Sequence, residues 1–115
     1  MSPATRSRTT APHPRYAPLF AALGDETRLA LVGQLVRGRP YSIAQLTAGS
    51  KLTRQAITKH LRVLEGAGLV SCVRSGRQSL FALDPAPLVE IAEYLVFVTE
   101  QWDQALTRLK QFVED

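Results

Sequence analysis

Five hydrogen-bonding side chains follow Thr53, in a segment whose apolar residues Ile57, Leu61 and Leu64 recur at helical spacing. On a helix that begins after Thr53, the face turned away from those apolar residues carries Arg54, Gln55, Thr58, Lys59 and Arg62. Arg and Lys match the acceptors of guanine in the major groove of DNA, Gln matches adenine, and Thr bonds to several base edges. The pattern over residues 53–67 therefore predicts a DNA-reading helix.

The position of each donor along this helix predicts its role. Residues near the N-terminus of a recognition helix lie deepest in the groove, so Arg54, Gln55 and Thr58 are expected to read bases. Lys59 is expected to contact either a base or a phosphate, and Arg62, two turns further on, a phosphate. Thr53 completes the predicted set on this helix as its N-cap.

A second group of donors lies around Gly76. Two apolar runs flank Ser75 and Gly76 and predict a two-stranded hairpin with its tip there. Arg74, Arg77 and Gln78 would then lie at or beside the tip, where arginines can follow the phosphate backbone or enter the adjacent minor groove. These three residues are also predicted to contact DNA.

Charge is distributed unevenly along the chain, whose formal net charge is +4. Residues 1–39 hold six basic and two acidic side chains. Residues 40–83 hold six basic side chains and one acidic side chain, and residues 84–115 hold two basic and seven acidic side chains. A basic middle and an acidic end indicate a polyanion-binding surface and a separate surface with another role.

Four helices are expected to position these donors. The first begins near Tyr16 and ends at Gly24, and Asp25 caps the second. In the second helix the predicted apolar face comprises Leu29, Val32, Gly33, Leu35 and Val36, before Gly38 and Pro40 end it. Ser42 and Gln45 have the spacing of a capping box and predict a short third helix that ends by Gly49. The helix after Thr53 is the fourth.

The segment after Asp84 has apolar residues at alternating spacings of three and four over about 25 residues, close to the 3.5-residue repeat of a helix that packs along another helix. Such a helix extends beyond one small core, so we expect it to form a homodimer. The expected interface residues come from the first and last helices: Tyr16, Leu19, Phe20, Leu88, Ile91, Leu95, Val98, Trp102, Leu106 and Leu109.

The expected organisation is a disordered basic arm over residues 1–14, a DNA-binding domain over 15–84 and a dimerisation helix over 85–115. The fold class is mainly α with a small β-hairpin, in the order of four helices, two strands and one helix. Neither a secretion signal nor a membrane span is expected, and the single cysteine, Cys72, fits a reducing compartment. We therefore expect a cytoplasmic protein.

A helix, a helix-turn-helix and a basic hairpin form the winged helix-turn-helix arrangement, and three segments resemble the ArsR family of bacterial transcriptional repressors. They are the run Phe20 to Leu29, the run Leu52 to Leu64, and Ala67 to Val70 followed by Arg74 to Arg77. The resemblance spans roughly residues 16–83. It implies a homodimer built from the first and last helices, which represses by binding double-stranded DNA with two-fold symmetry until an inducer releases it.

The chain departs from the metal-sensing members of that family. Those members carry a Cys-x-Cys pair on the helix before the recognition helix, or His and acidic ligands on the last helix. Here Ile43 to Leu46 occupy the first position, and the last helix contains no His. The remaining soft donors, His13, His60 and Cys72, share no helix-spaced cluster. No metal and no cofactor are expected, and whether the effector is a small molecule or a protein stays open.

Two alternatives to this regulator remain. One is a protein interaction module that uses the last helix, with weak DNA binding. The other is a repressor that responds to oxidation of Cys72, although an ordinary half-buried cysteine is favoured. Glu90 and Glu93 are one turn apart, which favours a solvated face over a site for a hard cation. No arrangement of catalytic side chains stands out, so the chain is not expected to be an enzyme.

Overall fold

The computed structural model describes residues 13–114, which form five helices and three strands. The predicted arm, residues 1–14, lies outside the described residues except for its last two positions. The elements in chain order are α1 (Tyr16–Leu23), α2 (Glu26–Leu35), β1 (Tyr41–Ser42), α3 (Ile43–Thr47), α4 (Arg54–Gly66), β2 (Val70–Ser75), β3 (Gln78–Leu83) and α5 (Ala86–Glu114).

The helix boundaries follow from side chains that accept hydrogen bonds from free backbone amides. Asp25 caps α2 by accepting from the amide of Arg28, and Thr53 caps α4 by accepting from the amide of Ala56. Ser42 caps α3 in a complete capping box, in which the Gln45 side chain accepts from the Ser42 amide in return. Asp84 accepts from the amide of Ala86, where α5 begins. The three predicted caps, at Asp25, Ser42 and Thr53, are confirmed.

The core lies where α4 packs against the other elements of the domain. Ile57, Leu61 and Leu64 of α4 are each at most 2% exposed, as predicted from their spacing. Around them the structure buries Leu19, Ala22, Leu31, Val32, Leu35, Leu46, Leu69, Val70, Phe81 and Ile91. This packing fixes the rotation of α4 about its axis, because only one of its faces is apolar.

The predicted apolar face of α2 is partly wrong. Leu29 and Val36 are 57% and 58% exposed, whereas Leu31, which the predicted face omits, is 2% exposed. Val32 and Leu35 are buried as predicted. Apolar residues lie on more than one side of this short helix, so their spacing does not select the buried face. Contact with the rest of the domain selects it.

The sheet contains one strand more than the predicted hairpin. Its order is β1-β3-β2 with antiparallel pairing throughout, and β1 joins the edge through Tyr41 opposite Phe81. Two residues are too few to show an alternating pattern, so the sequence does not reveal β1. The hairpin itself is confirmed: Ser75 pairs with Gln78, and Gly76 at the turn has a φ of +62°, as a type II′ turn requires at its first central position.

Helix α5 contacts the domain only through its first turns. Pro87 and Ile91 are buried, whereas most of the large apolar side chains from Leu95 onward are exposed. A helix of 29 residues is about 44 Å long, so most of its length extends away from the core. This extension accounts for much of the 67 Å length of the molecule.

Candidate nucleic-acid interface

The first two turns of α4 present most of the predicted base readers to solvent. Arg54, Gln55 and Lys59 are exposed, while the opposite side of the helix is anchored by Ile57 and Leu61. An open groove of about 690 Å³ runs between this end of α4 and the start of α3. It is lined by Ile43, Thr53, Arg54, Gln55, Ala56, Thr58 and Lys59. Five of the nine predicted DNA-contacting residues therefore lie on one surface.

Two hydroxyl groups on this surface are already engaged within the protein. The Thr53 hydroxyl oxygen accepts from the Ala56 amide at 3.1 Å. The Thr58 hydroxyl donates to the carbonyl oxygen of Arg54 at 2.7 Å, a common arrangement for Thr inside a helix. With its proton committed there, Thr58 can still offer a base an acceptor lone pair or its methyl group, but not a hydrogen.

Arg62 is held at the junction of α4 with the sheet. Its guanidinium forms an ion pair with Glu65 at 2.7 Å and lies over the ring of Phe81, 5.8 Å from the centroid. The Glu65 carboxylate is the main cause that raises the pKa of Arg62 above its usual value. Because more than half of the side chain is exposed, this pair adds little stability. The ion pair does hold the positive charge of Arg62 where α4 meets the sheet.

The wing, which comprises β2, β3 and the turn between them, carries the other predicted donors. Arg74, Arg77 and Gln78 are all exposed, and Arg74 pairs with Ser79 in the ladder. The wing is joined to α4 through Phe81, which is fully buried beneath Arg62. Cys72 on β2 is half-buried and free, as favoured from the sequence. Its sensitivity to oxidation stays a prediction.

His60 lies in a cluster that sequence reasoning missed. Its Nδ1 atom is 3.7 Å from an Asp25 carboxylate oxygen and 3.5 Å from the Arg28 guanidinium. Asp25 and Arg28 are 32 or more residues away along the chain, so the spacing contains no signal of this contact.

Within residues 13–114, no three His, Cys, Asp or Glu side chains come together as metal ligands would.

The predicted interface residues of α1 and α5 fall into three classes of exposure. Leu19 and Ile91 are 2% and 5% exposed. Their prediction as interface residues is corrected, because side chains buried in the protomer have almost no surface left to bury against a partner. Tyr16, Phe20 and Leu88 are half-buried. The remaining five are exposed: Leu95, Val98, Trp102, Leu106 and Leu109.

Tyr94 and Glu90 connect α1 to α5 and were not among the predicted interface residues. The Tyr94 ring lies 5.0 Å from that of Tyr16 and 6.4 Å from that of Phe20, centroid to centroid. Glu90 forms an ion pair with Arg15 at 2.8 Å, which gives this carboxylate a role other than a solvated face. Tyr94 is four residues before Val98 and three after Ile91, so the apolar spacing of α5 would have included it.

Comparisons with known proteins show which family this chain resembles. The model of a helix-turn-helix domain family matches residues 23–73. The chain is 33% identical over 95 residues to the HTH-type transcriptional regulator Rv2034 of Mycobacterium tuberculosis (strain ATCC 25618 / H37Rv), covering 83% of this chain and 85% of that protein. It is 39% identical over 82 residues to the HTH-type transcriptional regulator CmtR of Mycobacterium bovis, covering 71% of this chain and 69% of that one.

A solved structure extends the likeness to the fold. An ArsR-like transcriptional regulator from Rhodococcus sp. RHA1 superposes with a TM-score of 0.76 at 37% identity, covering 85% of this chain and 92% of that one. The chain belongs to the ArsR family of winged helix-turn-helix transcriptional regulators. Membership confirms the predicted fold class and makes the chain a DNA-binding regulator of transcription rather than an enzyme. Among residues 13–114, no helix combines the length and apolar character needed to cross a membrane.

Proposed function

We propose that this ArsR-family regulator is a homodimeric repressor in which the first two turns of α4 read each half of an inverted-repeat operator. The observation that carries the proposal is the exposed surface of Arg54, Gln55 and Lys59 beside an open groove, on a helix whose opposite face is locked in the core. A locked helix presents its donors in a fixed direction, as the hydrogen-bond pattern of base edges demands. A dimer bound across an operator would exclude other proteins from that stretch of DNA.

Phosphate contacts are assigned to the wing and to Arg62. Arg74, Arg77 and Gln78 are exposed around a tight turn, which suits a ribbon that follows the backbone or enters the minor groove. Arg62 is pinned beside Glu65, so its contribution to phosphate binding is smaller than that of a free arginine.

The dimer is assigned to α1 and α5. Five predicted interface side chains of α5 are 41% to 63% exposed in the protomer: Leu95, Val98, Trp102, Leu106 and Leu109. A long apolar stripe of this kind is self-complementary across a two-fold axis and is covered when two copies pair. Residues 15–84 then form the DNA-binding domain and residues 85–115 the dimerisation helix. Because it acts on DNA, we place the protein in the cytoplasm.

Selection from random DNA, followed by affinity measurements on the selected site, tests the proposed reading surface. The double variant Arg54→Ala with Gln55→Ala should bind the selected site at least about 30-fold more weakly than the wild type, since each lost bidentate contact costs about 1–3 kcal/mol. Its affinity for unselected DNA should change much less. The matched control is Gln104→Ala with Arg108→Ala, which removes the same residue types from α5 and should retain the preference.

Two results would contradict the proposal. If the double variant discriminates the selected site as well as the wild type does, the base readers lie elsewhere. If random DNA yields no enriched motif, the exposed stripe of α5 favours the second candidate function, a protein interaction module with weak DNA binding.

A further inference from the structure

The residues Asp25, Arg28 and His60 meet at a point where three helices join. Arg28, on α2, donates from Nε to the carbonyl of Ala22 at 2.6 Å and from Nη2 to the carbonyl of Ala21 at 3.3 Å. These carbonyls lie at the C-terminal end of α1, where a positive charge is favoured. The third nitrogen of the same guanidinium, Nη1, lies 3.5 Å from Nδ1 of His60 on α4. One side chain therefore contacts α1, α2 and the recognition helix.

Asp25 contacts the same ring nitrogen. Its Oδ2 atom accepts from the Arg28 amide at 3.0 Å and is 3.7 Å from Nδ1 of His60. The side chains of His60 and Asp25 are 24% and 35% exposed, so solvent screens this contact only in part. The backbone amide of Arg28 is the main cause that lowers the pKa of Asp25, with the charges of Arg28 and His60 adding to it. The carboxylate is thus held in its charged form.

A single ring nitrogen cannot serve both partners at once. In the neutral tautomer that carries its proton on Nε2, the Nδ1 atom of His60 can accept a hydrogen bond from Arg28. As a donor, Nδ1 of a protonated ring gives its hydrogen to Asp25, and its charge repels Arg28. Asp25 and Arg28 are the charged groups of α2 in contact with the ring, and α1 supplies backbone carbonyls to the junction. Protonation of this tautomer therefore removes the hydrogen bond from Arg28 and leaves Asp25 as the residue of α2 that holds the ring.

We propose that Asp25, Arg28 and His60 are positioning residues that set the placement of the recognition helix, with His60 held by Arg28 when neutral and by Asp25 when protonated. The proposal rests on the assignment of α4 as the DNA-reading helix. His60 follows Lys59 directly, so its contacts with α2 adjust the reading surface within the limits that the buried face of α4 sets. A variant without the junction must then reposition α4 on binding, and its affinity for DNA falls.

Two double-mutant cycles test this inference with the full chain and the DNA site that the wild type selects. The first combines Asp25→Asn with His60→Gln, and the second combines Arg28→Lys with His60→Gln. Each is measured as Kd at about pH 5.5 and at about pH 8. The Asn in Asp25→Asn still caps α2. The Lys in Arg28→Lys keeps the positive charge but lacks the several N–H groups of the guanidinium, and the Gln in His60→Gln does not titrate.

The two cycles should depend on pH in opposite directions. Asp25 and His60 should be coupled about 3- to 10-fold in Kd at the lower pH and nearly uncoupled at the higher pH. Arg28 and His60 should be coupled at the higher pH, and that coupling should fall on acidification. The control is His13→Gln, the same change at the other histidine of the chain, which should leave the pH profile of affinity as in the wild type.

Thermal unfolding of every variant separates positioning from stability. Coupling that is present in the unfolding free energy but absent from Kd overturns the proposal, as does a lack of coupling at both pH values in protein that binds its selected site. If the wild type selects no DNA site at all, the proposed function itself is wrong. That outcome can be told apart from the two results that overturn only the role of Asp25, Arg28 and His60.

Discussion

Ser42 is the one polar side chain in the described chain that is buried, at 6% exposure. Its hydroxyl accepts from the amide of Gln45 at 3.1 Å, and its own amide donates to the Gln45 side chain at 2.8 Å. Both groups would otherwise be left without partners at the start of α3, in a place with little access to water. The cap therefore also fixes α3 against β1.

Replacing Ser42 with Ala should lower the free energy of unfolding by about 1–2 kcal/mol, because the Gln45 amide loses its acceptor. Urea unfolding monitored by circular dichroism measures this change. The matched control is Ser71→Ala, at an exposed position of β2, which should stay within about 0.5 kcal/mol of the wild type. Equal effects at the two serines would contradict a capping role.

Asp25 predicts a pH dependence of stability with a definite sign. Hydrogen bonding by the Arg28 amide lowers its pKa in the folded chain, so its stabilising contribution is present above the ordinary pKa, about 4. That contribution is lost as the pH falls through the lower, folded-state pKa. The wild type should exceed Asp25→Asn in stability near neutral pH, and the difference should shrink in strong acid.

Urea unfolding across this range measures the difference between the two proteins. Asp103→Asn on the exposed surface of α5 reports the effect of removing one carboxylate elsewhere. If the difference between the wild type and Asp25→Asn were constant with pH, the carboxylate would contribute only as a neutral cap.

Among the elements, the wing carries an arginine that is exposed to solvent, whereas α4 carries one that is held in an ion pair. Arg77 is exposed at the wing turn, whereas Arg62 is paired with Glu65 at 2.7 Å. A side chain that neutralises one phosphate contributes about 0.9 to the slope of log affinity against log salt concentration. An arginine that must first leave a carboxylate contributes less to that slope.

Arg77→Ala should therefore reduce the salt slope by about 0.9 and weaken binding to selected and unselected DNA alike. Arg62→Ala should reduce the slope by a smaller amount, and Arg108→Ala on α5 should leave it unchanged. Fluorescence anisotropy over a series of salt concentrations measures all three. A larger change for Arg62 than for Arg77 would show that DNA displaces Glu65 and that the wing is not the main phosphate contact.

At the scale of the whole molecule, α5 is the element that the protomer leaves uncovered. Trp102 is 63% exposed and Leu106 is 46% exposed, on the same stripe as Ile91, which is buried against the domain. Leu106→Glu should convert a dimer to a monomer, because pairing would bury an uncompensated charge on each copy. The content of helix in the DNA-binding domain should be preserved, since Leu106 lies outside the core cluster.

Sedimentation velocity measures this change of mass, and Gln104→Glu on another side of the same helix is the matched control. The monomer should also bind an inverted repeat more weakly, because its two half-sites are then occupied independently. A wild type that sediments as a monomer, or a Leu106→Glu variant that remains a dimer, would contradict the assignment of α5.

Local signals in the sequence determined most of the architecture of this protein. The caps at Asp25, Ser42 and Thr53, the buried spacing of Ile57, Leu61 and Leu64, and the turn at Gly76 all act within a few residues. They follow from hydrogen bonding, helical period and backbone freedom alone. The same local pattern indicated the donor-rich surface of α4, because the face opposite a buried stripe is solvent-exposed.

Only the tertiary structure decided the features that depend on partners far along the chain. It placed Leu31 rather than Leu29 in the core and added β1 beside β3. It assigned Leu19 and Ile91 to the protomer core, and it brought His60 into contact with Asp25 and Arg28. In each case several faces or neighbours were compatible with the spacing. The packing of α4 against α1, α2 and the sheet selects among them, because side chains can be buried only where another element covers them.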